Sequence, residues 1–289
     1  MFMEDVSLNL KSIGKIRTSE TYKSSLDSFK KFRNGKDLTF KKLTADLMLE
    51  YEAYLKAKGI SKNTSSFYMR TLRAVYNRAV EKGFTPQKYP FKYVYTGIDK
   101  TRKRAVSIQT MKQIKRLDLS SDKKSDFARD MFMFSFYARG MSFVDMAYLR
   151  KKDLRNGILT YRRHKTGQQL YVKWESCMQD IVKKYYEEQS DYLLPIINNN
   201  AEERKQYIYH SHNVNRYLKK IGEKLGLSMP LTMYVARHSW ASIAKNKNIP
   251  LSVISDGLGH DSEKTTRIYL SSLDNVEIDK ANRMILKLL

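Results

Sequence analysis

Apolar residues recur at the spacing of an α-helix along almost the whole chain, and this repetition limits the possible folds more than any other feature of the sequence. Before Pro86 the apolar stripes break off at Gly35, Gly59 and Gly83, where a helix commonly ends on a left-handed residue. The pattern predicts about three helices in this region, the second of them capped by Thr44. A small helical domain is therefore expected at the beginning of the chain.

The apolar period changes once, between residues 158 and 174, from that of a helix to that of a strand. Two sets of residues alternate there, namely Ile158, Thr160 and Arg162 against Leu159, Tyr161 and Arg163. A second short apolar run follows Gly167, so the segment predicts a β-hairpin with residues 164–167 at its tip. The helical pattern resumes after Trp174. The fold class expected is mainly α with a small β-hairpin.

A stretch that contains Pro and Gly interrupts the helical pattern near residue 90 and closes on a run of basic residues. Such a composition is typical of a linker. With 289 residues the chain is long enough for two domains. We expect a helical domain at residues 1–97, a basic linker at 98–106 and a larger domain at 107–289.

The positive charge of the chain indicates a polyanionic partner. Lys and Arg number 54 against 30 Asp and Glu, which gives a formal net charge of +24. Each basic side chain laid on a phosphate releases a counterion, so nucleic acid fits this excess best. The third predicted helix, which begins near Ser61, carries a basic face without matching acidic residues. The predicted DNA contacts are Lys62, Arg70 and Arg73 on this helix and Arg102, Lys103 and Arg104 in the linker.

Several classes of function lack their sequence signals. Cys177 is the only cysteine, which excludes an internal disulfide framework and favours a reducing compartment such as the cytoplasm. The chain has no HExxH motif, no Cys pair, no acidic cluster with metal-ligand spacing and no phosphate-binding loop. We therefore expect no metal, no cofactor and no small-molecule substrate. The sequence shows no signal segment and no apolar span, so no membrane partner is expected.

The second half of the chain offers the groups that break a phosphodiester without a metal. The reaction needs a nucleophile, cations for the charge on the phosphorane and an acid for the leaving oxygen. Arg237 lies near a predicted helix start, His260 follows a break in the helical pattern, and Tyr269 comes nine residues later. Lys165 at the hairpin tip adds a proton donor.

These residues carry a resemblance to a known family. The motifs are Ala-Arg-His-Ser-Trp at 236–240, Leu-Gly-His at 258–260, Thr-Arg-Ile-Tyr-Leu at 266–270 and Lys-Thr-Gly at 165–167. In this order and spacing they resemble the tyrosine recombinases of the phage integrase family. The resemblance implies a C-shaped clamp on duplex DNA, formed by a helical core-binding domain and a catalytic domain. It also implies a tetramer on DNA and a place at the bacterial nucleoid.

The resemblance assigns a role to each of these residues. Tyr269 would attack the scissile phosphate, form a 3′-phosphotyrosyl bond and release a 5′-hydroxyl that later reverses the step. Arg237 would hold the nonbridging phosphate oxygens, since its planar fork is always charged. Lys165 would give a proton to the leaving oxygen, and His260 would contact the phosphate or assist Tyr269. The bond energy is kept, so no ATP is needed.

Two positions depart from the pattern of the family. Tyr234 stands three residues before Arg237, where the family usually has His or Lys, and its hydroxyl can donate a hydrogen bond but carries no charge. Ser142 stands in the place of the family's first arginine. Either Arg139 turns in to supply the missing cation, which we favour, or Ser142 donates a weaker hydrogen bond. Asp145 would orient the site. The variant pattern resembles recombinases of Bacteroides-type mobile and phase-variable elements.

The natural reaction is less constrained than the chemistry. Only about twenty residues are expected before the first helix, too few for the arm-binding domain that integrases often carry. This favours a DNA invertase acting on inverted repeats, with integration of a mobile element as the alternative. Ser142 and Tyr234 also leave open an inactive, architectural DNA-binding protein. An apolar face at 278–288 would dock on a neighbouring chain or on its own core.

Overall fold

A computed structural model of the chain describes residues 2–99, 104–198 and 202–270, together with Leu286. The chain divides into two compact units, Met1–Thr101 and Arg102–Leu289. Two expectations, the DNA contacts of Arg102 and Lys103 and the apolar face at 278–288, lie outside the described residues except for Leu286. No helix within the described ranges is both long and apolar enough to cross a bilayer.

The first unit is helical, as the sequence predicts. The helices described in it are α1 Phe2–Ser12, α2 Ile16–Phe32, α3 Ala45–Ala57 and α4 Lys62–Glu81, with a short 3-10 turn at Phe40–Lys42. Thr44 and Ser61 cap α3 and α4, because their hydroxyls accept hydrogen bonds from the backbone N–H groups of Leu47 and Thr64. The core forms where α2, α3 and α4 meet, around the fully buried Tyr51 and Tyr76.

The expectation of about twenty residues before the first helix is wrong, because α1 begins at Phe2. Val6 and Leu10 of α1 are buried against Tyr22 of α2 and Val75 of α4. The apolar stripe of α1 is only two buried residues wide, so packing against the rest of the unit stabilises this helix more than its own pattern does. The residues before α2 are therefore part of the helical unit.

The second unit is built around a long apolar core. Its helices are α5 Ile108–Arg116, α6 Lys123–Tyr137, α7 Phe143–Ala147, α8 Ser176–Lys184, α9 Glu203–Lys224, α10 Met233–Asn246, α11 Leu251–Leu258 and α12 Glu263–Leu270. A 3-10 turn spans Lys151–Asp153. Helix α6 lies at the centre, since Met131, Phe132 and Phe134 are fully buried and α9 and α10 pack on it.

The predicted hairpin is present and extends into a three-stranded antiparallel sheet in the order β1-β2-β3. The strands are β1 Leu154–Arg155, β2 Ile158–Arg162 and β3 Gln169–Lys173. Leu159 pairs with Val172, and both side chains are buried in the core of the unit. Arg162 pairs with Gln169, which leaves a six-residue turn, 163–168, at the free end of the hairpin. Strand β1 has only two residues, too few to show an alternating pattern in the sequence.

Candidate active site

Arg237 is a buried arginine whose guanidinium is held by two backbone carbonyls. It lies on the second turn of α10 and is only 5% exposed. Nη1 donates to the carbonyl oxygen of Gly140 at 2.9 Å, and Nη2 donates to that of Leu258 at 2.5 Å. The two carbonyls come from the turn after α6 and from the end of α11. They fix the plane of the guanidinium, which is the arrangement that recognition of a phosphate requires.

Gly140 owes its identity to this contact. Its φ of +74° is left-handed, and a Cβ built there would lie 2.7 Å from Cα of Arg237. No side chain can occupy that space while α10 stays where it is. The turn is closed by Gly140 N–H donating to the Ser135 carbonyl at 2.8 Å and by the Ser135 hydroxyl donating to the Met141 carbonyl at 2.6 Å. The backbone of this turn therefore sets the position of Arg237.

A second close approach brings the hairpin onto the turn that carries His260. Gly259 ends α11 with a left-handed φ of +62°, and a Cβ there would lie 2.8 Å from Cδ1 of Leu170 and 3.3 Å from Cδ of Arg163. Nη1 of Arg163 donates to the Gly259 carbonyl. The glycine in the Leu-Gly-His motif is thus required both by its backbone angle and by the hairpin packed against it.

His260 is neutral at physiological pH. Its pKa is lowered to about 4, first by burial and then by the positive charges of Arg237, Arg163 and Lys165. Its Nδ1 lies 2.7 Å from the hydroxyl of the fully buried Thr266 on α12. Arg237, Arg163 and Lys165 all lie close enough for their charges to act on the His260 imidazole, so the structure brings Arg237, Lys165 and His260 together.

Arg163 is a candidate site residue that the sequence motifs do not reveal, because it stands outside them, in the alternating strand pattern. It is 8% exposed, and its charge acts on His260. The two-residue alternation of strand β2 indicates that the Arg163 side chain faces inward. Leu159 and Tyr161 point to the core, so position 163 continues the same inward face just beyond the end of β2. An arginine on a buried face of a hairpin needs a partner, and here the Gly259 carbonyl supplies it.

Arg139 lies at the turn after α6, with a left-handed φ of +60°, next to Gly140. Arg139 lies near Tyr161. Burial raises the pKa of this tyrosine most, and the charge of Asp145 raises it further. The charges of Arg237, Arg163 and Arg139 act on the same phenol in the opposite sense. Arg139 therefore shares a neighbour with Arg237. It is half-buried, whereas Arg163 and Arg237 are buried.

Ser142 and Asp145 hold the tip of the hairpin. Ser142 caps α7: its hydroxyl accepts from the N–H of Asp145 at 3.3 Å and donates to Oδ2 of the same residue at 2.6 Å. Oδ1 of the buried Asp145 accepts from the N–H of His164 at 2.8 Å. The His164 ring stacks on Tyr148 at 4.7 Å between centroids. Lys165 follows directly in the chain and is exposed.

Tyr234 and Tyr269 complete the set of predicted site residues. Tyr234 is 59% exposed at the first turn of α10, and its ring meets that of the buried His238 edge-on at 4.4 Å. Tyr269 lies on α12, three positions after Thr266, and its side chain lies outside the described residues. Position 269 is thus on α12, and the Thr266 hydroxyl of the same helix contacts Nδ1 of His260.

The predicted DNA-facing residues of α4 lie beside the segment that follows this helix. Lys62 and Arg73 are exposed; the Lys62 ammonium sits 4.3 Å from the centre of the Tyr95 ring, and Nη1 of Arg73 donates to the Thr96 hydroxyl at 3.4 Å. Arg70 is half-buried. The segment is fixed to α4, since the Ser66 hydroxyl donates to the Gly97 carbonyl at 2.5 Å. Arg104, at the end of the expected linker, is exposed.

Comparison with known proteins identifies the family to which this fold belongs. Residues 1–95 match the phage integrase SAM-like domain, and residues 108–275 match the phage integrase family. The second match alone covers more than half of the chain, so the chain belongs to the phage integrase family. Within the described part of the chain, no cluster of three His, Cys, Asp or Glu side chains is arranged to hold a metal ion.

Curated relatives resemble the chain in sequence, and solved structures resemble it in fold. It is 24% identical to tyrosine recombinase XerA of Thermococcus kodakarensis, over 78% of this chain and 77% of the relative. It is 25% identical to tyrosine recombinase XerC of Oceanobacillus iheyensis, over 87% and 84%. A lambda integrase dimer bound to a COC′ core site has a similar fold, with a TM-score of 0.71, 16% identity and coverage of 95% and 77%. XerH bound to palindromic difH substrate gives a TM-score of 0.69, 16% identity and coverage of 96% and 84%.

Proposed function

We propose that this tyrosine recombinase cuts and rejoins duplex DNA at specific sites through a covalent 3′-phosphotyrosine at Tyr269, and that its natural reaction is inversion of a segment between inverted repeats. The observation that supports this most is the cluster of cations around a neutral histidine. Arg237, Arg163 and Lys165 all act on His260, which a hydrogen bond joins to the helix that carries Tyr269. Such a cluster suits a phosphate that gains negative charge during the reaction.

Each side chain has a defined task in this proposal. The hydroxyl oxygen of Tyr269 attacks phosphorus, and the bond from phosphorus to the 5′-oxygen breaks as the new bond forms. Arg237 binds the nonbridging oxygens with a guanidinium already oriented by the carbonyls of Gly140 and Leu258. The ammonium of Lys165 gives its proton to the departing 5′-oxygen. His260, neutral because its pKa is about 4, accepts a hydrogen bond or the proton that Tyr269 loses.

A second cation beside Arg237 has two candidates. Arg139 is the residue favoured by the sequence, and its charge acts on Tyr161 together with that of Arg237. Arg163 is buried and bound to the Gly259 carbonyl, and its charge acts on both Tyr161 and His260. We assign the larger part of the missing charge to Arg163, because a buried guanidinium is screened less by solvent than a half-exposed one.

The proposal assigns the rest of the chain to DNA. Residues 1–97 form a DNA-binding domain, with Lys62, Arg70 and Arg73 on phosphates; 98–106 are a basic linker and 107–289 the catalytic domain. Each broken strand holds one Tyr269, and exchange between two duplexes breaks four strands, so four chains act together. The formal net charge of +24 supports a partner that carries many phosphates. The substrate places the protein at the bacterial nucleoid.

Inversion can be tested directly with plasmids. A binding site is first selected from random-sequence duplexes with Tyr269→Phe, and the wild-type chain is then given plasmids with two copies of that site. Inverted copies should yield an inverted segment, direct copies a deletion, and Tyr269→Phe neither product. The resemblance of the pattern from Gly140 to Asp145 to phase-variable elements favours inversion. Recombination only between two different sites would refute the invertase and support integration.

A further inference from the structure

The hydroxyl of Ser142 is engaged inside the protein, at the position where the family has its first arginine. It donates to Oδ2 of Asp145 at 2.6 Å, and Oδ1 of Asp145 accepts the N–H of His164 at 2.8 Å. Asp145 is 4% exposed, so its carboxylate is shielded from water, and the two hydrogen bonds that it accepts are partly buried. The chain of contacts runs from the start of α7 through one carboxylate to the backbone of the hairpin tip, one residue before Lys165.

The hairpin tip depends on such outside contacts. Its own backbone is closed by Arg163 N–H to the Gln168 carbonyl and Gly167 N–H to the Arg163 carbonyl, both at 2.8 Å. Two buried side-chain oxygens in the turn, Oγ1 of Thr166 and Oε1 of Gln168, have no hydrogen-bond partner within the described part of the chain. A six-residue turn with so few side-chain hydrogen bonds depends for its position on contacts with the neighbouring elements.

Three contacts with other elements fix the tip at residues 163 and 164, and within the hairpin Nη1 of Arg162 donates to the Gly167 carbonyl at 3.2 Å. Arg163 ties the base of the turn to Gly259. The other two act at His164, through the hydrogen bond to Asp145 and the ring stacked on Tyr148. The charged hydrogen bond is the directional one of the pair, because a carboxylate oxygen accepts an N–H along a narrow range of angles. The backbone at 164 therefore takes its position from Asp145.

We propose that Ser142 and Asp145 are positioning residues for Lys165. Ser142 orients the carboxylate of Asp145, the carboxylate holds the backbone of His164, and the ammonium of Lys165 is thereby kept where it can protonate the leaving 5′-oxygen. Ser142 itself does not touch the phosphate. This inference rests on the proposed function, because it needs Lys165 to act as the acid in strand cleavage. It explains why a serine is useful at a position where it cannot replace a cation.

A pair of substrates separates loss of the proton donor from other defects. Both are nicked duplexes that carry the selected site, with the cleavage position mapped by the wild-type chain. One has the normal 5′-oxygen at the scissile phosphate, and the other has sulfur in its place. A thiol has a pKa of about 8.5, so it leaves as a thiolate without receiving a proton. Loss of the acid slows cleavage of the first substrate only.

Four variants complete the design. Lys165→Ala removes the acid, Ser142→Ala breaks the chain of contacts, and Ser142→Thr keeps the hydroxyl. Ser107→Ala is the matched control, because Ser107 caps α5 by accepting from the Thr110 N–H, as Ser142 caps α7, and the hydrogen bonds of its hydroxyl are to Thr110 on its own helix. Thermal melting of each variant shows whether it is folded at the assay temperature.

The expected result is a defect that sulfur repairs. Ser142→Ala should cleave the oxygen substrate on the order of 10-fold to 100-fold more slowly than the wild-type chain, and the sulfur substrate at nearly the wild-type rate. Lys165→Ala should show the same pattern with a larger loss, and Ser142→Thr and Ser107→Ala should remain close to wild type. Unchanged cleavage by Ser142→Ala, or equal slowing on both substrates, would overturn the inference alone. A wild-type chain that cleaves neither substrate would overturn the proposed function and the inference with it.

Discussion

Substitution of Gly140 by alanine should move Arg237 and disable the site. Position 140 combines a φ of +74° with a Cβ position 2.7 Å from Cα and 2.9 Å from Cγ of Arg237. One of the two clashing atoms belongs to the backbone of α10, so a change of rotamer cannot relieve the clash. Either the turn after α6 or the helix that carries Arg237 must shift. The hydrogen bond from Arg237 to the Gly140 carbonyl would lengthen or break.

The cost can be divided into two terms. A left-handed alanine costs about 1–2 kcal/mol relative to glycine. Overpacking a tight contact adds about 1–3 kcal/mol. Gly157→Ala is the control for the first term, because Gly157 has nearly the same φ, +73°, and nothing within 4 Å of its Cβ position. We therefore expect Gly140→Ala to lose about 2–5 kcal/mol of unfolding free energy and Gly157→Ala about 1–2 kcal/mol.

The measurement is urea unfolding followed by tryptophan fluorescence, with the rate of covalent adduct formation on a nicked duplex measured in parallel. Both tryptophans, Trp174 and Trp240, lie in the second unit, so the signal reports on the unit that holds the site. In the absence of urea, and at a temperature where both variants are folded, Gly140→Ala should form adduct far more slowly than Gly157→Ala. Equal unfolding free energies and equal adduct rates for the two variants would refute the contact between position 140 and Arg237.

Three further predictions concern the surroundings of His260. NMR of the folded protein should show the His260 imidazole titrating near pH 4, against 6.5 in the unfolded chain. The contribution of His260 to stability is therefore complete above pH 6.5 and is lost as the pH falls towards 4. Titration near 6.5 in the folded protein would contradict this. Thr266→Val should slow adduct formation about 10-fold by removing the partner of Nδ1, whereas Thr266→Ser should not. Arg163→Ala should raise the pKa of His260 and Arg139→Ala should leave it unchanged; the reverse order would exclude Arg163 as the nearer cation.

The helices and the hairpin were predictable because each leaves a periodic trace in the sequence. The cap Thr44, the helix start near Ser61 and a hairpin tip at 164–167 followed from local rules that need no tertiary information. Helix α1 escaped prediction because its stability comes from packing on α2 and α4. The two-residue strand β1 exists only as a partner of β2.

The site was predictable where a motif has a fixed spacing and unpredictable where contacts cross the chain. Arg237 and His260 stood out in their motifs, and the structure brings them together with Lys165. Arg163 is 97 residues from His260 in sequence, and only the docking of the hairpin on Gly259 makes them neighbours. The engagement of Ser142 with Asp145 is local, but its link to His164 depends on how α7 meets the hairpin. No sequence pattern records such a contact.

The central claim, covalent catalysis by Tyr269, is tested most directly by the chemical nature of the protein–DNA adduct. The selected site is offered as a nicked duplex, the reaction is stopped with SDS, and the trapped complex is digested and read by mass spectrometry. We expect an adduct that joins Tyr269 to a 3′-phosphate, with a free 5′-hydroxyl on the other side and no adduct from Tyr269→Phe. An adduct at another residue, or tight binding of the site with no adduct at all, would contradict it.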